Sequence, residues 1–171
     1  MDLDALRAVQ TPLKARYKRE PEAAVVTLRA SGDLGGDNIA CSVETGRALV
    51  TAGLHPASGG DGSLACSGDM LLQALVACAG VTLRAVATAL EFRLDGGTVR
   101  AEGDLDFCGT LGVDKAAPVG FRAVRLRFDL VTGETDERIA TLTRLTERYC
   151  VVLQTLRTPP HFALDVAARP S

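Results

Sequence analysis

Gly68-Asp-Met-Leu-Leu-Gln-Ala-Leu-Val-Ala-Cys-Ala-Gly-Val-Thr-Leu83 is the stretch on which the fold turns. With its continuation to Leu90 it makes about six turns of good helix-forming residues. Leu71, Leu75, Cys78 and Thr82 follow at spacings of four, three and four, which puts them on one stripe of a helix from Asp69 to Leu90. Further apolar residues flank the stripe, so this helix is expected to be buried nearly all round. The largely apolar part, Met70 to Leu83, covers 14 residues. That falls short of the ~20 needed to cross a bilayer, so it reads as a core helix with no membrane role.

Working outward, the segments on either side change period. Upstream, Ala23–Arg29 and Asn38–Glu44 carry β-branched residues and are separated by Gly32, Gly35 and Gly36, the pattern of an antiparallel hairpin. Ala48–Leu54 adds a third strand, and His55-Pro-Ala-Ser-Gly-Gly-Asp-Gly-Ser63 is too rich in turn formers to continue it. Downstream, Gly96–Cys108 and Phe121–Val131 alternate. In the second, Val124, Leu126, Phe128 and Leu130 face one way and Arg125, Arg127 and Asp129 the other, a half-buried strand with a wet face. Glu134–Leu156 is helical, with Ile139, Leu142, Leu145, Tyr149 and Leu153 roughly in phase, and Pro159-Pro160 ends it. Phe162–Val166 offers a last short strand. At the other end, residues 1–22 form a peripheral segment whose helical stretch, Leu3–Tyr17, is interrupted by Pro12.

Strands, helix, strands, helix, strand is an α+β order, with too few helices for a doubly wound parallel sheet. A chain of 171 residues, 47% hydrophobic and 23% charged, is sized for a single domain spanning 1–171 with a real core. Nineteen basic against 21 acidic side chains leave a net charge of −2, which gives nucleic acid no electrostatic footprint. Aromatics at 4% and the absence of Trp remove the material for base-stacking platforms. The acidic start, Met1-Asp-Leu-Asp, resembles neither a secretory signal nor a transit peptide, so a cytoplasmic setting is expected.

The chemistry narrows by type. His55 and His161 lie far apart beside prolines, and the five cysteines (Cys41, Cys66, Cys78, Cys108, Cys150) form no CxxC pair, so neither a metal site nor a disulfide framework is expected. The glycines from Gly59 to Gly62 lack the Gly-Lys-Ser/Thr ending of a phosphate cradle, and no G-x-S-x-G elbow is present. Buried cysteine usually serves as a small hydrophobe. Two of the five stand out: Cys78 lies in the middle of the first core helix, and Cys150 lies 72 residues later in the second. If these helices pack together the thiols meet, and in a reducing compartment such a pair is catalytic or redox-active.

The segment quoted above, with Glu147-Arg-Tyr-Cys-Val-Val-Leu-Gln-Thr-Leu156, resembles the two cysteine helices of the osmotically inducible protein C and organic hydroperoxide resistance (OsmC/Ohr) family. The resemblance runs from about Ala23 to the end. It implies two central helices wrapped by antiparallel sheets in an intertwined homodimer, with active sites at the dimer interface. It also implies a peroxidase without a bound cofactor, in which Cys78 is the peroxidatic thiolate and Cys150 the resolving thiol. Organic hydroperoxides are then the substrates, hydrogen peroxide a poorer one, and a thiol or lipoyl-type dithiol the external reductant. The family's active peroxidases pair an Arg with a Glu ten positions before the first cysteine. Here that position is Gly68, with Asp69 next to it, and the activating Arg must come from the N-terminal half, where Arg29 and Arg47 are candidates. Asp69 lies about 180° around the helix from Cys78, and Arg84 about 120°. A proline often follows the family's second cysteine; Val151 stands there. These departures keep a second reading open, an OsmC-fold redox sensor or small-ligand binder without efficient peroxidase activity.

Overall fold

The computed structural model describes residues 31–33, 40–44 and 49–168, with scattered positions (2–4, 7–8, 10–11, 15 and 19) before them. Arg29, Arg47 and the expected strand Ala23–Arg29 lie outside the described residues, as does most of the 1–22 segment, whose described positions are largely helical.

Two sheets and four helices carry the described chain. Strands β1 (Ser31–Asp33), β2 (Ala40–Glu44) and β3 (Leu49–Gly53) form an antiparallel meander, with Gly32 opposite Val43 and Cys41 opposite Ala52. Gly32 is thus in a strand, where the glycine spacing had suggested a turn. A two-residue strand, β4 (Ala65–Cys66), joins β3 in parallel, so this sheet is mixed and not wholly antiparallel. The link from β3 to β4 includes a single 3₁₀ turn, Pro56–Ser58, which the His55 ring caps through Nδ1, accepting from the Ala57 N–H at 3.0 Å. Its chain reversal passes through Gly59 at φ 97°, a left-handed conformation that favours glycine.

Helix α1 (Ser67–Ala89) follows at once, with Asp69 in its first turn, where a carboxylate complements the positive end of the helix dipole. Strand β5 (Gly96–Leu105) pairs antiparallel with β6 (Phe121–Val131), Val99 opposite Phe128 and Ala101 opposite Leu126. The strand expected to reach Cys108 stops at Leu105. Asp106 ends it by accepting the Cys108 N–H at 3.0 Å, which starts a one-turn helix, α2 (Phe107–Thr110), and carries Cys108 to the surface.

The second helical region is two helices, not one. Helix α3 (Asp136–Tyr149) is capped by Thr135, with Asp136 and Glu137 in its first turn and Arg148 in its last. It ends at Cys150, whose φ of −73° and ψ of 106° are extended, and α4 (Val151–Arg157) begins immediately after. Beyond Pro160 no strand forms among the described residues. Phe162, Leu164 and Val166 keep the alternation that suggested one, but they stand 80–93% exposed, with no neighbouring strand among the described residues to receive them.

Helix α1 packs against β5, α3 and α4. Its buried residues are Leu75, Ala79, Leu83 and Ala87, spaced by four, so the buried stripe is rotated from the expected Leu71–Leu75–Cys78–Thr82 line. Nor is the helix enclosed all round: Leu71 is exposed and Val81 is 72% exposed. One two-stranded sheet and one helix pair can cover only one side of it. At 23 residues, with an 18-residue window of mean hydropathy 1.8, it is long and apolar enough to cross a membrane by length and composition, unlike the 14-residue stretch measured in the sequence; one side of it packs against β5, α3 and α4. Leu83, Ala87, Phe92 and Leu142 form one core cluster and Leu75, Ala79 and Cys150 a second. Fully burying a Leu such as Leu75 or Leu142 contributes about 1.5–3 kcal/mol each.

Candidate active site

Cys78 sits half-way along α1, on the flank of its buried stripe, and packs into the cluster of Leu75, Ala79 and Cys150 together with Val152 and Leu153. The two cysteines proposed from the sequence are therefore brought together. In mid-helix, backbone N–H groups are committed to carbonyls four residues back and cannot turn to a sulfur. The first N–H groups of a helix have no such partner. Because α3 breaks at Cys150, α4 presents its opening N–H groups at the level of Cys78.

The two thiols differ in acidity. Burial pushes the Cys78 thiol up, and this is the largest single effect on it. Hydrogen bonds from the Val152 N–H, the Cys150 thiol, the Val151 N–H and the Thr82 hydroxyl together outweigh it and leave Cys78 more acidic than an ordinary thiol. Cys150 is pushed the other way, first by burial in a position with no solvent exposure and then by the neighbouring Cys78 sulfur. A more acidic thiol and a less acidic one thus face each other, an order that suits a nucleophile beside a second thiol able to condense with it.

Beside Cys150 lies a cavity of about 710 Å³ between β6, α1, α3 and α4. Leu126, Phe128 and Leu156 give it apolar walls, and Thr146 and Cys150 are also among its lining residues. Thr146 Oγ1 is buried without a hydrogen-bond partner among the described residues. Arg157 and Glu147 line the cavity too and form an ion pair. Gln154 Nε2 donates to the Glu147 carbonyl at 2.7 Å.

Of the supporting residues named from the sequence, Arg29 and Arg47 lie outside the described residues, and Asp69 does not join the pair. Asp69 is exposed and lines a separate shallow depression with Leu72, Gln73, Val76, Ala77 and Ala101, in keeping with its place on the opposite side of the helix. Arg84 is exposed as well. A side chain at position 68 would start 3.5 Å from both Leu105 Cδ1 and Phe121 Cζ, so Gly68 faces an apolar wall. His55 stacks on Phe107 with ring centroids 5.0 Å apart, and among the described residues no three His, Cys, Asp or Glu gather as metal ligands. Sequence reasoning missed the Val151 and Val152 N–H groups, because it carried one helix through Cys150. It also passed over Thr82 as a donor, although its position four residues after Cys78 was the available signal.

Comparison with known proteins agrees with this geometry at the level of fold. The family model described as OsmC-like protein matches residues 60–165. The crystal structure of an OsmC-like protein from Mycoplasma pneumoniae aligns over 78% of this chain and 89% of its own, at 16% identity and a TM-score of 0.64. An organic hydroperoxide resistance protein OsmC from Legionella pneumophila covers 79% of this chain and 92% of its own, at 21% identity and a TM-score of 0.61. An organic hydroperoxide resistance protein from Elizabethkingia anophelis, with thiocyanate bound, covers 80% and 91%, at 16% identity and a TM-score of 0.57. No curated protein matches. The family match spans more than half of the 171 residues and encloses both cysteine helices, so the chain belongs to the OsmC-like protein family.

Proposed function

We propose that the protein is a thiol-dependent peroxidase that reduces organic hydroperoxides in the cytoplasm through Cys78 and Cys150, with no bound cofactor. The observation that carries this reading is the pairing itself: an acidified thiol packed against a fully buried, less acidic one. The Cys78 thiolate attacks the distal peroxide oxygen, the O–O bond breaks, and the alkoxide takes up a proton and leaves as alcohol. The resulting sulfenic acid condenses with Cys150, releasing water and forming a disulfide. An external dithiol, of thiol or lipoyl type, exchanges with that disulfide, is itself oxidised, and restores both cysteines. The apolar surroundings of the pair, Leu75, Val99 and Leu126 among them, favour an organic substrate over hydrogen peroxide.

The working unit in this reading is an intertwined homodimer. Val81 on the outer face of α1 and the alternating Phe162, Leu164 and Val166 are apolar, exposed and unpartnered by the described residues, and a second copy is the surface that would cover them. Arg29 and Arg47 remain the candidate cations over Cys78.

Purified protein with cumene hydroperoxide and a dithiol reductant tests the reading. Wild type should sustain turnover and Cys78→Ser should fall to the uncatalysed rate, because a serine hydroxyl is not appreciably ionised at neutral pH. Equal slow consumption by both would end the peroxidase reading. The absence of a carboxylate at Gly68, with Asp69 turned away, would then favour the alternative, a redox sensor or small-ligand binder on the same fold.

A further inference from the structure

We propose that Gln154, assisted by the Glu147–Arg157 ion pair, is a positioning device that clasps α4 to the end of α3 and so holds the Val151 and Val152 N–H groups against Cys78. A helix ends with carbonyls that no later N–H of its own can satisfy. At the end of α3 the Thr146 carbonyl receives the Cys150 N–H at 2.9 Å. The next one, that of Glu147, is taken by Gln154 Nε2, a side chain seven residues ahead on the far side of the break. Glu147 is tied across the break a second time, through its carboxylate to Arg157. Gln154 is itself fixed at both backbone ends, its N–H to the Cys150 carbonyl and its carbonyl to the Thr158 N–H, each at 2.9 Å.

Without these ties the junction would rest on the two backbone dihedrals of Cys150 and on the packing of Val152, Leu153 and Leu156. Apolar contacts such as those of Val152 and Leu153 in the Cys78 cluster tolerate a small rotation of a two-turn helix, whereas donation from its opening N–H groups to a neighbouring thiol weakens steeply with angle. The clasp converts loose packing into aim. Gln154 is half-buried, which shields its bond, whereas Arg157 and Glu147 are both partly exposed and their pair is weakened by solvent. The larger share therefore falls to Gln154. Gln154 is uncharged and its Nε2 is committed to the Glu147 carbonyl, so its action on Cys78 runs through α4.

This goes beyond the peroxidase reading and depends on it only for the consequence in turnover. The test is the pH dependence of Cys78 alkylation by iodoacetamide, followed by peptide mass spectrometry in the full-length protein. Gln154→Met keeps the length of the side chain and removes the donor. It should move the midpoint of Cys78 alkylation up by about 0.5–1 pH unit, the equivalent of one net hydrogen bond. Arg157→Gln should move it in the same direction by less. A Gln154→Met protein with unchanged circular dichroism and an unmoved midpoint overturns the proposal. If Gln154→Met does not fold, Arg157→Gln decides alone, and an unmoved midpoint there overturns it. Because alkylation needs no peroxide, a shifted midpoint in a chain that consumes no hydroperoxide upholds the clasp and removes only the peroxidase reading. Normal turnover with unmoved midpoints does the reverse.

Discussion

Helix α1 and the α3–α4 pair each carry one cysteine of the candidate site, and they are built on opposite plans. The first runs 23 residues without interruption and places Cys78 where every neighbouring backbone group is already spent. The second is broken at Cys150 into helices of 14 and seven residues, and the break frees N–H groups that an intact helix would have used internally. A thiolate in the middle of a helix has to find its donors elsewhere, and a helix start delivered by the partner is one source that needs no charged side chain. Continuity positions Cys78 and discontinuity acidifies it.

The hardest way to break this division of labour is to remove the thiol at the break. Cys150→Ser should stop peroxide consumption after about one equivalent per Cys78, leaving a sulfenic acid at Cys78 that dimedone traps or excess peroxide over-oxidises. Sustained turnover at the wild-type rate would show that Cys150 has no resolving part and that its contact with Cys78 is packing. Cys108, exposed on α2, and Cys66, at the start of α1, are the controls whose replacement should leave the chemistry intact.

The next largest effect concerns what keeps the broken pair in place. Leu142 on α3 has no solvent exposure and belongs to the cluster with Leu83 and Ala87 of α1, so the α1–α3 contact is anchored one layer away from the cysteines. Leu142→Ala should cost about 2–5 kcal/mol in denaturant unfolding, from lost transfer energy and the cavity left behind. A loss well under about 1 kcal/mol would mean that the helices are held chiefly by contacts outside this cluster.

How far the sequence announced this arrangement differs between the two regions in the same way. The α1 plan was legible: good helix formers, a four-three-four spacing and Cys78 in the middle survive almost unchanged as Ser67–Ala89. Only the face was misread, because a helix that is apolar on several sides does not declare which of them its own chain will cover. The α3–α4 break was not legible, since Val151, Val152 and Leu153 continue the apolar phase of Leu142 and Leu145 and no Gly or Pro interrupts them. A hint lay in the family's habit of placing Pro after the second cysteine, for Pro is tolerated at the first position of a helix and not within one. The Phe162–Val166 strand read from the alternation does not form, because a strand needs another edge to accept it.

The acidity difference between the two regions also has a signature in stability. Cys78 is depressed in the folded state, so its contribution is fully present above the unfolded thiol value of about 8.5 and is lost as pH falls through the folded value. Cys150 is raised, so its contribution is fully present below the unfolded value of about 8.5, where the unfolded chain begins to ionise first, and is lost as pH rises from there through the folded value. Together they give a maximum near the ordinary thiol value, with limbs no steeper than about 1.4 kcal/mol per pH unit for each group. Denaturant melts from pH 6 to 10, compared with the doubly substituted chain, should show both limbs. Cys78→Ser should keep only the fall at alkaline pH, and a rising limb that survives in it would contradict the assignment.

The smallest effect separates the two uses of a helix start, stability and donation. Val151 occupies the first position of α4, and Cys150 before it has the extended backbone that a following proline requires. Val151→Pro therefore suits the geometry, pre-sets the backbone of the break and should raise stability by about 0.4–1 kcal/mol through the unfolded state. The same change removes the Val151 N–H, which is a weaker donor to Cys78 than that of Val152. The Cys78 alkylation midpoint should accordingly rise slightly while the melting temperature rises too, two quantities that a merely disruptive substitution would move in opposite senses. A midpoint that falls would mean that fixing the break aims the Val152 N–H better than the flexible junction does, and that positioning outweighs the count of donors. A melting temperature that drops would instead show that Val151 makes packing contacts which the proline ring cannot replace.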